Sequence, residues 1–282
     1  MRALPWIVAA AAATAGVTAS LAMASVSSQT AAPVQSGVQR PLRVRDLPPG
    51  YLARGTVDGL ALILPAPVKG DERYRADRRL FRATRALRNG ERWRVATRDV
   101  EMEPAAMMEN FSCAAGRHLA PETAPQLDRI MRRVLVDALT TNETAKRHFR
   151  RLRPFQIDRG PICQPEAQLT TSFDYPSGHT VWGWTWALVL AELVPDRATP
   201  ILARGRAYGE SRLVCGAHNG SAVEAGARVA AGAIAAVHGS AEFRADMDLA
   251  RAELATAPML GESARAACVA NERVFAQALP GR

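Results

Sequence analysis

Lysine, aromatic residues and long apolar runs are scarce in this chain. The scarcity of aromatic residues and that of apolar runs each argue against one class of function. Lys69 and Lys146 are the only lysines among 36 basic residues, and aromatic residues make up 6% of the 282 positions. Few aromatic side chains interleave with the basic runs, and no nucleic-acid module is recognisable, which argues against nucleic-acid binding. The chain also lacks a series of 20-residue apolar spans, which argues against a protein that crosses a membrane several times.

The first 24 residues have the pattern of an export signal. A charged start at Arg2 is followed by an alanine-rich apolar run and by Ala22-Met23-Ala24, which is typical of a cleavage site. We therefore expect a signal peptide over residues 1–24 and a periplasmic or secreted protein with no membrane span in the mature chain. Cleavage removes one basic and no acidic residue, so the net charge falls from +9 to +8. This excess favours anionic partners such as phosphate esters, nucleotides or a membrane surface.

Cysteine is limited to four residues, and their spacing argues against a metal site. The four are Cys113, Cys163, Cys215 and Cys268, and no two of them form the C-x2–4-C arrangement typical of zinc ligands. In an exported protein such cysteines suggest disulfides, and three pairings are open. A bridge at Cys215 would brace the stretch around His218.

The rest of the pattern indicates an all-α fold. There is no clear repeat, no low-complexity block and no notable strand-period alternation, whereas apolar positions over residues 121–139 follow one helical stripe. Residues 181–193 are apolar on nearly all sides and predict a central buried helix that is too short to span a bilayer. We expect a flexible segment over residues 25–49, an all-α domain of packed helices over residues 50–260 and a C-terminal tail over residues 261–282.

Three separated stretches carry groups suited to binding an anion, and the first is KRHFRRLRP. Lys146 and Arg153 are seven positions apart. Both are therefore expected on one face of a helix that follows a break at residues 140–142 and ends at Pro154. Taken alone, the stretch favours a solvated, arginine-rich face over an anion site.

The second stretch is PSGH, followed by the apolar run of the central helix. Ser177 suits a helix N-cap, Gly178 lets the backbone approach a ligand closely, and His179 falls in the first helical turn. In isolation these four residues indicate only the start of a helix.

The third stretch is YGESRLVCGAHNGSA. We expect it to be a loop that carries Arg212 and His218 into a small-residue helix over residues 223–238. Such a loop suits an anion, because the first amide groups of a helix have no internal partner and lie at the positive end of its dipole. The alternative is a loop whose arginine and histidine are solvated or structural.

Taken in chain order, K-x6-R-P, P-S-G-H and S-R-x5-H resemble the signature of the type 2 phosphatidic acid phosphatase superfamily. This superfamily includes bacterial non-specific acid phosphatases, lipid phosphate phosphatases and vanadium haloperoxidases. The flanking text, such as SFDYPSGHTVWGW and RGRAYGESRLVCGAH, is similar to the secreted class A acid phosphatases. The resemblance covers roughly residues 50–235. It implies a single-domain helical bundle of the phosphatase and haloperoxidase type, and metal-independent hydrolysis of small phosphate monoesters without a cofactor.

The resemblance also implies a role for each residue of the three stretches. His218 would be the nucleophile that becomes phosphorylated, and His179 would be the general acid. The phosphate would be bound by Lys146, Arg153, Ser177, Gly178 and Arg212. A cationic site with a protonated His179 fits an acidic pH optimum.

One position departs from the family's pattern. The third stretch of the family continues S-R-x5-H-x3-D, and its aspartate bonds the nucleophilic histidine, but Ala222 occupies that position here. We therefore expect a weakened enzyme unless water or Glu224 takes over, with Glu210 and Asp174 as more distant candidates. Under that expectation, Ala222→Asp raises turnover.

Three other functions remain open at this point. The first is a phosphate-binding member of the same fold with impaired catalysis, which Ala222 would explain. The second is a membrane lipid phosphatase, against which the lack of apolar spans argues. The third is a vanadium-dependent haloperoxidase, which would share the anion pocket and would oxidise halide after vanadate is added. The sequence does not choose a natural substrate, nor does it decide between a monomer and a homo-oligomer.

Overall fold

Ten α-helices form the part of the chain that the computed structural model describes, residues 47–281. In chain order they are α1 (Glu72–Thr84), α2 (Glu91–Arg98), α3 (Pro104–Ala115), α4 (Pro125–Phe149), α5 (Pro154–Ile157), α6 (Gly178–Leu193), α7 (Ala198–Cys215), α8 (Gly220–Val237), α9 (Ala241–Thr256) and α10 (Glu262–Ala276). Within these residues the only β-structure is one isolated bridge, between Arg117 and Met259. The predicted all-α class is confirmed. The expected signal peptide, residues 1–24, and residues 25–46 lie outside the described residues.

Helix α6 is the central element, as its sequence predicts. It packs against α4, α7, α8 and α9, and the side chains of Trp182, Trp186 and Leu190 are completely buried. A helix that is apolar all round is stable only where neighbours cover every face. The indole Nε1 of Trp182 donates to the backbone oxygen of Met102 at 3.0 Å, which ties α6 to the loop before α3.

Glycine residues let α6 and α7 approach closely. A Cβ atom at Gly183 of α6 would overlap the ring of Tyr208, and one at Gly205 of α7 would overlap the side chain of Ala187. Because neither glycine carries a side chain, the two helices can pack at this short distance. The crossing places Tyr208 and the end of α7 beside the first turn of α6.

Helix α4 differs from the sequence prediction at two points. The break expected at residues 140–142 is absent, because the buried face of the helix continues through these residues. The hydroxyl of Thr141 donates to the backbone oxygen of Asp137 at 2.9 Å, within the helix. The helix also ends at Phe149, before Arg153 is reached, because Arg150 adopts the left-handed conformation with φ of 45°. The residue before a proline also avoids the helical region. Lys146 and Arg153 therefore do not share a helix face.

Helix α7 also differs from the prediction, because it extends into the third stretch. Arg212 lies in its last turn, not in a loop, and only the residues around His218 connect α7 to α8. Gly216 ends α7 with φ of 78°, a conformation that suits glycine, and a Cβ atom there would overlap the guanidinium of Arg85. Ser177 is the predicted N-cap of α6: its Oγ accepts from the backbone N–H of Thr180 at 3.3 Å.

Two disulfides settle the pairing that the sequence leaves open. Cys113–Cys268 joins α3 to α10 and so fastens the segment expected as a C-terminal tail. Cys163–Cys215 joins the loop before α6 to the end of α7, close to His218. Among the helices of this part of the chain, none has both the length and the apolar character needed to cross a membrane.

Candidate active site

The charged residues of the three stretches converge on one buried site. Lys146 comes from the last turn of α4, Arg153 from the segment before α5 and Arg212 from the last turn of α7. The Nη1 atom of Arg153 lies 2.9 Å from Nε2 of His218. Burial is the main reason that the pKa of both histidines is lowered, and nearby charges add to it: those of Arg153, Lys146 and Arg212 at His218, and those of Arg212 and Arg153 at His179.

Arg212 has the donors that an anion would need. The side chain is completely buried, and its Nη2 donates to Oε1 of Gln164. Its Nε and Nη1 have no hydrogen-bond partner among the described residues. Burial, followed by the charge of Arg153, lowers the pKa of Arg212 to about 9. Because buried donors without an acceptor are unfavourable, an oxyanion that accepted from both atoms would stabilise this site.

Arg153 has fewer donors to offer, because the chain itself uses most of them. Its Nε donates to the backbone oxygen of Ser172 at 2.9 Å and its Nη2 to the Ser172 hydroxyl at 3.2 Å. Its Nη1 donates to the backbone oxygen of Ala217 at 2.8 Å and to His218 at 2.9 Å. A guanidinium has five N–H groups, and these contacts use four of them. Within residues 47–281, one N–H of Arg153 is therefore free for a ligand, and the N–H that now faces His218 could also turn to a ligand. Burial lowers the pKa of Arg153 to about 10.

Lys146 reaches the same site from α4. Its Nζ donates to the backbone oxygen of Phe173 at 2.9 Å, and an ammonium group has further donors. Burial and then the charge of Arg153 lower the pKa of Lys146 to about 7, against the opposing effect of Asp174. The lysine therefore titrates near neutral pH.

The hydrogen bonds of His218 determine which ring nitrogen carries the proton. Nε2 faces Nη1 of Arg153, which can only donate, so Nε2 holds a lone pair. Nδ1 lies 2.7 Å from the backbone oxygen of Asp174 and 3.2 Å from its Oδ1, and both atoms accept. Nδ1 therefore carries the proton. Burial, followed by the charge of Arg153, lowers the pKa of His218 well below its ordinary value, which favours the neutral ring.

His179 has a different environment at the start of α6. Its Nε2 lies 3.0 Å from the backbone oxygen of Val100, so this nitrogen donates and Nδ1 is left for proton exchange. The ring stacks on Tyr208, with 6.4 Å between the ring centres. Burial, followed by the charge of Arg212, lowers the pKa of His179 well below its ordinary value. The protonated His179 that the sequence suggests is thus not the form that these surroundings favour.

The start of α6 carries Ser177 and Gly178, two of the residues that the sequence predicts to bind the phosphate. The backbone N–H of Ser177 donates to the backbone oxygen of Ala222 at 3.0 Å, and its hydroxyl oxygen accepts from the hydroxyl of Thr180 at 3.0 Å. The next two amides, of Gly178 and His179, are the first of the helix and have no acceptor within it. These two amides, at the positive end of the helix dipole, are better placed for an anion than the amide of Ser177.

Several polar residues around the site had little or no signal in the sequence. Gln164 accepts a hydrogen bond from Arg212. Its position next to Cys163 would indicate that it lies near the site only if the Cys163–Cys215 pairing were known in advance. Asp174 was a distant candidate, because nothing in its spacing relates it to His218. Across residues 47–281, no three His, Cys, Asp or Glu side chains come together as a group that could hold a metal ion.

Comparisons with known proteins give one family model and several similar proteins. The family model, described as the PAP2 superfamily, matches residues 133–245, a range that includes the seven predicted site residues. An acid phosphatase of Zymomonas mobilis is 43% identical over 199 residues, or 70% of this chain and 75% of that protein. A non-specific acid phosphatase of Providencia stuartii is 36% identical over 71% of this chain and 82% of its own length. One of Salmonella typhimurium is 31% identical over 73% and 84%.

Proposed function

Because the chain belongs to the bacterial non-specific acid phosphatases of the PAP2 superfamily, we propose that it hydrolyses small phosphate monoesters through a phosphohistidine on His218. One observation carries the proposal. The buried Arg212 keeps two donors without a partner within residues 47–281, and its charge acts on a histidine whose Nε2 holds a lone pair. An anion binder and a nucleophile are thus combined in one site.

Binding rests on positive charge and on preorganised donors. Arg212 offers the N–H groups of two donor atoms, Nε and Nη1, and Lys146 and Arg153 add the charges that also act on His218. The first amides of α6 complete the set. Phosphoryl transfer depends mainly on positioning and on electrostatic stabilisation of the phosphoryl oxygens. Three cationic side chains can supply that stabilisation without a metal ion.

In the first step, the lone pair on Nε2 of His218 attacks phosphorus as the phosphate displaces the Arg153 contact. The P–N bond forms while the bond from phosphorus to the leaving oxygen breaks. His179 gives its proton to that oxygen, and the alcohol departs. The hydrogen bond from Nδ1 of His218 to Asp174 holds the proton on the nitrogen that does not react.

In the second step, water attacks the phosphorus of the phosphohistidine. His179, which became neutral in the first step, takes a proton from that water. The P–N bond breaks, its electron pair returns to Nε2 of His218, and inorganic phosphate leaves. Both histidines are then in their starting forms.

An acidic working range follows from the charge of the substrate. Burial and the neighbouring cations lower the pKa of His179. A bound phosphate adds negative charge, which favours the protonated imidazole and raises that pKa. Lower pH also keeps Lys146, with a pKa of about 7, in its charged form. Substrate binding and proton uptake are therefore coupled.

We further propose that the protein is exported to the periplasm or the medium. Two disulfides within residues 47–281 support an oxidising compartment. The leader pattern of residues 1–24 supports the same location. A form that begins after residue 24 in periplasmic extracts would test this point.

The decisive test combines turnover with detection of the intermediate. The mature chain should release p-nitrophenol from p-nitrophenyl phosphate at acidic pH in the presence of a chelator. Acid quenching after brief exposure to radiolabelled ester should leave a label with the acid lability of a phosphohistidine. Tight binding of phosphate with no turnover at any pH would instead favour the non-catalytic alternative. Halide oxidation after vanadate addition, without ester hydrolysis, would favour a haloperoxidase.

A further inference from the structure

In this chain an alanine, Ala222, occupies the position at which the family has the carboxylate that orients the nucleophilic histidine. Ala222 is completely buried in an apolar cluster that includes Tyr175, Val181 and Val229. Two of the replacements considered from the sequence are placed elsewhere: Glu224 is exposed, and Glu210 pairs with Arg206 at 2.7 Å.

Asp174 is the carboxylate that meets His218. It lies three residues before the Ser177 N-cap, its side chain is completely buried, and its Oδ1 is 3.2 Å from Nδ1 of His218. The same residue presents its backbone oxygen to Nδ1 at 2.7 Å. One aspartate therefore contacts the imidazole through two different oxygens, one neutral and one charged.

The carboxylate of Asp174 is held in place by a buried network. Asn219 donates its backbone N–H to Oδ1 at 3.0 Å and its side-chain amide to Oδ2 at 2.7 Å. Nη1 of Arg151 lies 3.4 Å from Oδ2 and also donates to the hydroxyl of Ser221 at 2.7 Å. Nη2 of Arg151 pairs with Asp77 at 2.8 Å. This network therefore holds the carboxylate of Asp174 in place behind His218.

We propose that Asp174 is the positioning residue of His218 and replaces the aspartate that is absent at Ala222. The proposal rests on the phosphohistidine chemistry proposed above. The backbone oxygen of Asp174 fixes the proton on Nδ1. The carboxylate stabilises the positive charge that the imidazole gains when Nε2 bonds to phosphorus. The lost aspartate is thus compensated from a different segment of the chain.

The size of the expected effect follows from this division of labour. In a serine-protease triad, loss of the orienting carboxylate lowers turnover about 10⁴-fold because the histidine takes the wrong tautomer. In Asp174→Asn the backbone oxygen still holds the tautomer, while the charge is lost and one acceptor of the network is replaced by an amide donor. We therefore expect kcat to fall about 100-fold with KM changed less than about threefold.

The pH profile separates a positioning role from a structural one. The charged groups that face Asp174 are His218, Arg151, Lys146 and Arg153, with Asp77 behind Arg151. Removing the negative charge lowers the pKa of His218 further, because the positive neighbours then act alone. The acidic limb of the kcat/KM profile of Asp174→Asn should therefore move to lower pH.

Asp77→Asn is the matched control. Asp77 is a buried carboxylate of the same network, bonded to Arg151 and Ser221, but it does not touch His218. The control should keep the position of the acidic limb and most of kcat, while its melting temperature falls. If Asp77→Asn loses as much kcat as Asp174→Asn, or if Asp174→Asn stays within threefold of wild type, Asp174 has no special role.

A second pair of variants tests the replacement itself. Ala222→Asp alone should not raise turnover, contrary to the sequence expectation, because His218 already has the carboxylate of Asp174 beside it. In the Asp174→Asn background, the same change should recover about tenfold or more of the lost kcat. A folded double variant that is no more active than Asp174→Asn would overturn the equivalence of the two positions.

Two further readouts keep the test decisive. If Asp174→Asn fails to fold, Asp174→Ser removes the charge with a smaller side chain, and wild-type kcat in that variant would overturn the proposal. Wild-type protein that forms no phosphoenzyme would contradict the proposed function. An active wild type with an equally active Asp174→Asn would contradict only the role of Asp174.

Discussion

The two histidines of the site have opposite surroundings. His218 is backed by the Asp174 carboxylate and by a buried network of ionic and polar side chains. The one hydrogen-bond partner of the His179 ring within residues 47–281 is the neutral backbone oxygen of Val100, and the ring packs on Tyr208. Burial lowers the pKa of both histidines, so burial alone does not distinguish them.

The difference indicates which histidine can carry a lasting positive charge. A nucleophile that bonds to phosphorus becomes cationic until water releases it, and a fixed carboxylate stabilises that state. A general acid must give up and regain a proton in each cycle, and a fixed carboxylate beside it would hold the proton back. The surroundings therefore support His218 as the nucleophile and His179 as the acid, as the resemblance implies.

The largest expected effect comes from removing the nucleophile. His218→Ala should lower turnover of p-nitrophenyl phosphate by about 10⁴-fold or more and should abolish the labelled phosphoenzyme. The exposed His118 provides a control, since His118→Ala should keep wild-type activity. A phosphoenzyme that persists in His218→Ala would reverse the assignment of the two histidines.

Removing the acid should give an effect that depends on the leaving group. His179→Ala should slow hydrolysis of alkyl phosphates about 10²- to 10⁴-fold, because the alkoxide then departs without a proton. p-Nitrophenolate leaves readily, so phosphorylation by its ester should persist and the phosphoenzyme should accumulate when water attack lacks its base. Equal losses for both esters, with no accumulation, would argue against the acid role.

The shared burial of the two histidines predicts how stability depends on pH. Their folded pKa values lie below the unfolded value of about 6.5. The unfolded chain therefore binds more protons below that pH, and stability falls as the solution is acidified. Lys146 has a folded pKa of about 7, below its unfolded value of about 10.4. Its burial therefore lowers the stability of the folded state as pH falls from about 10.4 to about 7.

Sulfate gives a direct measurement of this coupling, because its charge is constant over the range. Sulfate should raise the melting temperature more at about pH 5 than at about pH 9, since the bound anion compensates the protons that the site then takes up. Chloride at matched ionic strength is the control. Equal sulfate shifts at both pH values would mean that the titrating groups do not face the anion.

The smallest effect on turnover is expected from a change at Tyr208, in the uncharged surroundings of His179. Tyr208 stacks on His179 and donates its hydroxyl to the backbone oxygen of Glu101 at 2.9 Å. Tyr208→Phe keeps the ring, so kcat should change less than about threefold while stability falls by about 1 kcal/mol. Thermal unfolding and steady-state kinetics measure both. A loss of kcat comparable with that of Asp174→Asn would contradict the contrast between the two surroundings.

Sequence rules succeeded where a short stretch determines its own structure. The N-cap at Ser177, the helix that follows it and the position of His179 in the first turn all follow from local hydrogen bonding and from apolar periodicity. They failed at helix ends. The left-handed Arg150 that ends α4 and the extension of α7 to Cys215 depend on packing against other segments.

The sequence by itself determined the all-α class, the buried central helix and the set of cationic and imidazole side chains. Periodicity and motif spacing are local properties, and they are legible without coordinates. Only the tertiary structure decided which carboxylate backs His218, because Asp174 and His218 are 44 positions apart. No spacing rule relates two residues whose contact is created by the packing of α6, α7 and α8. The same holds for Gln164 and Arg212, which meet beside the Cys163–Cys215 disulfide.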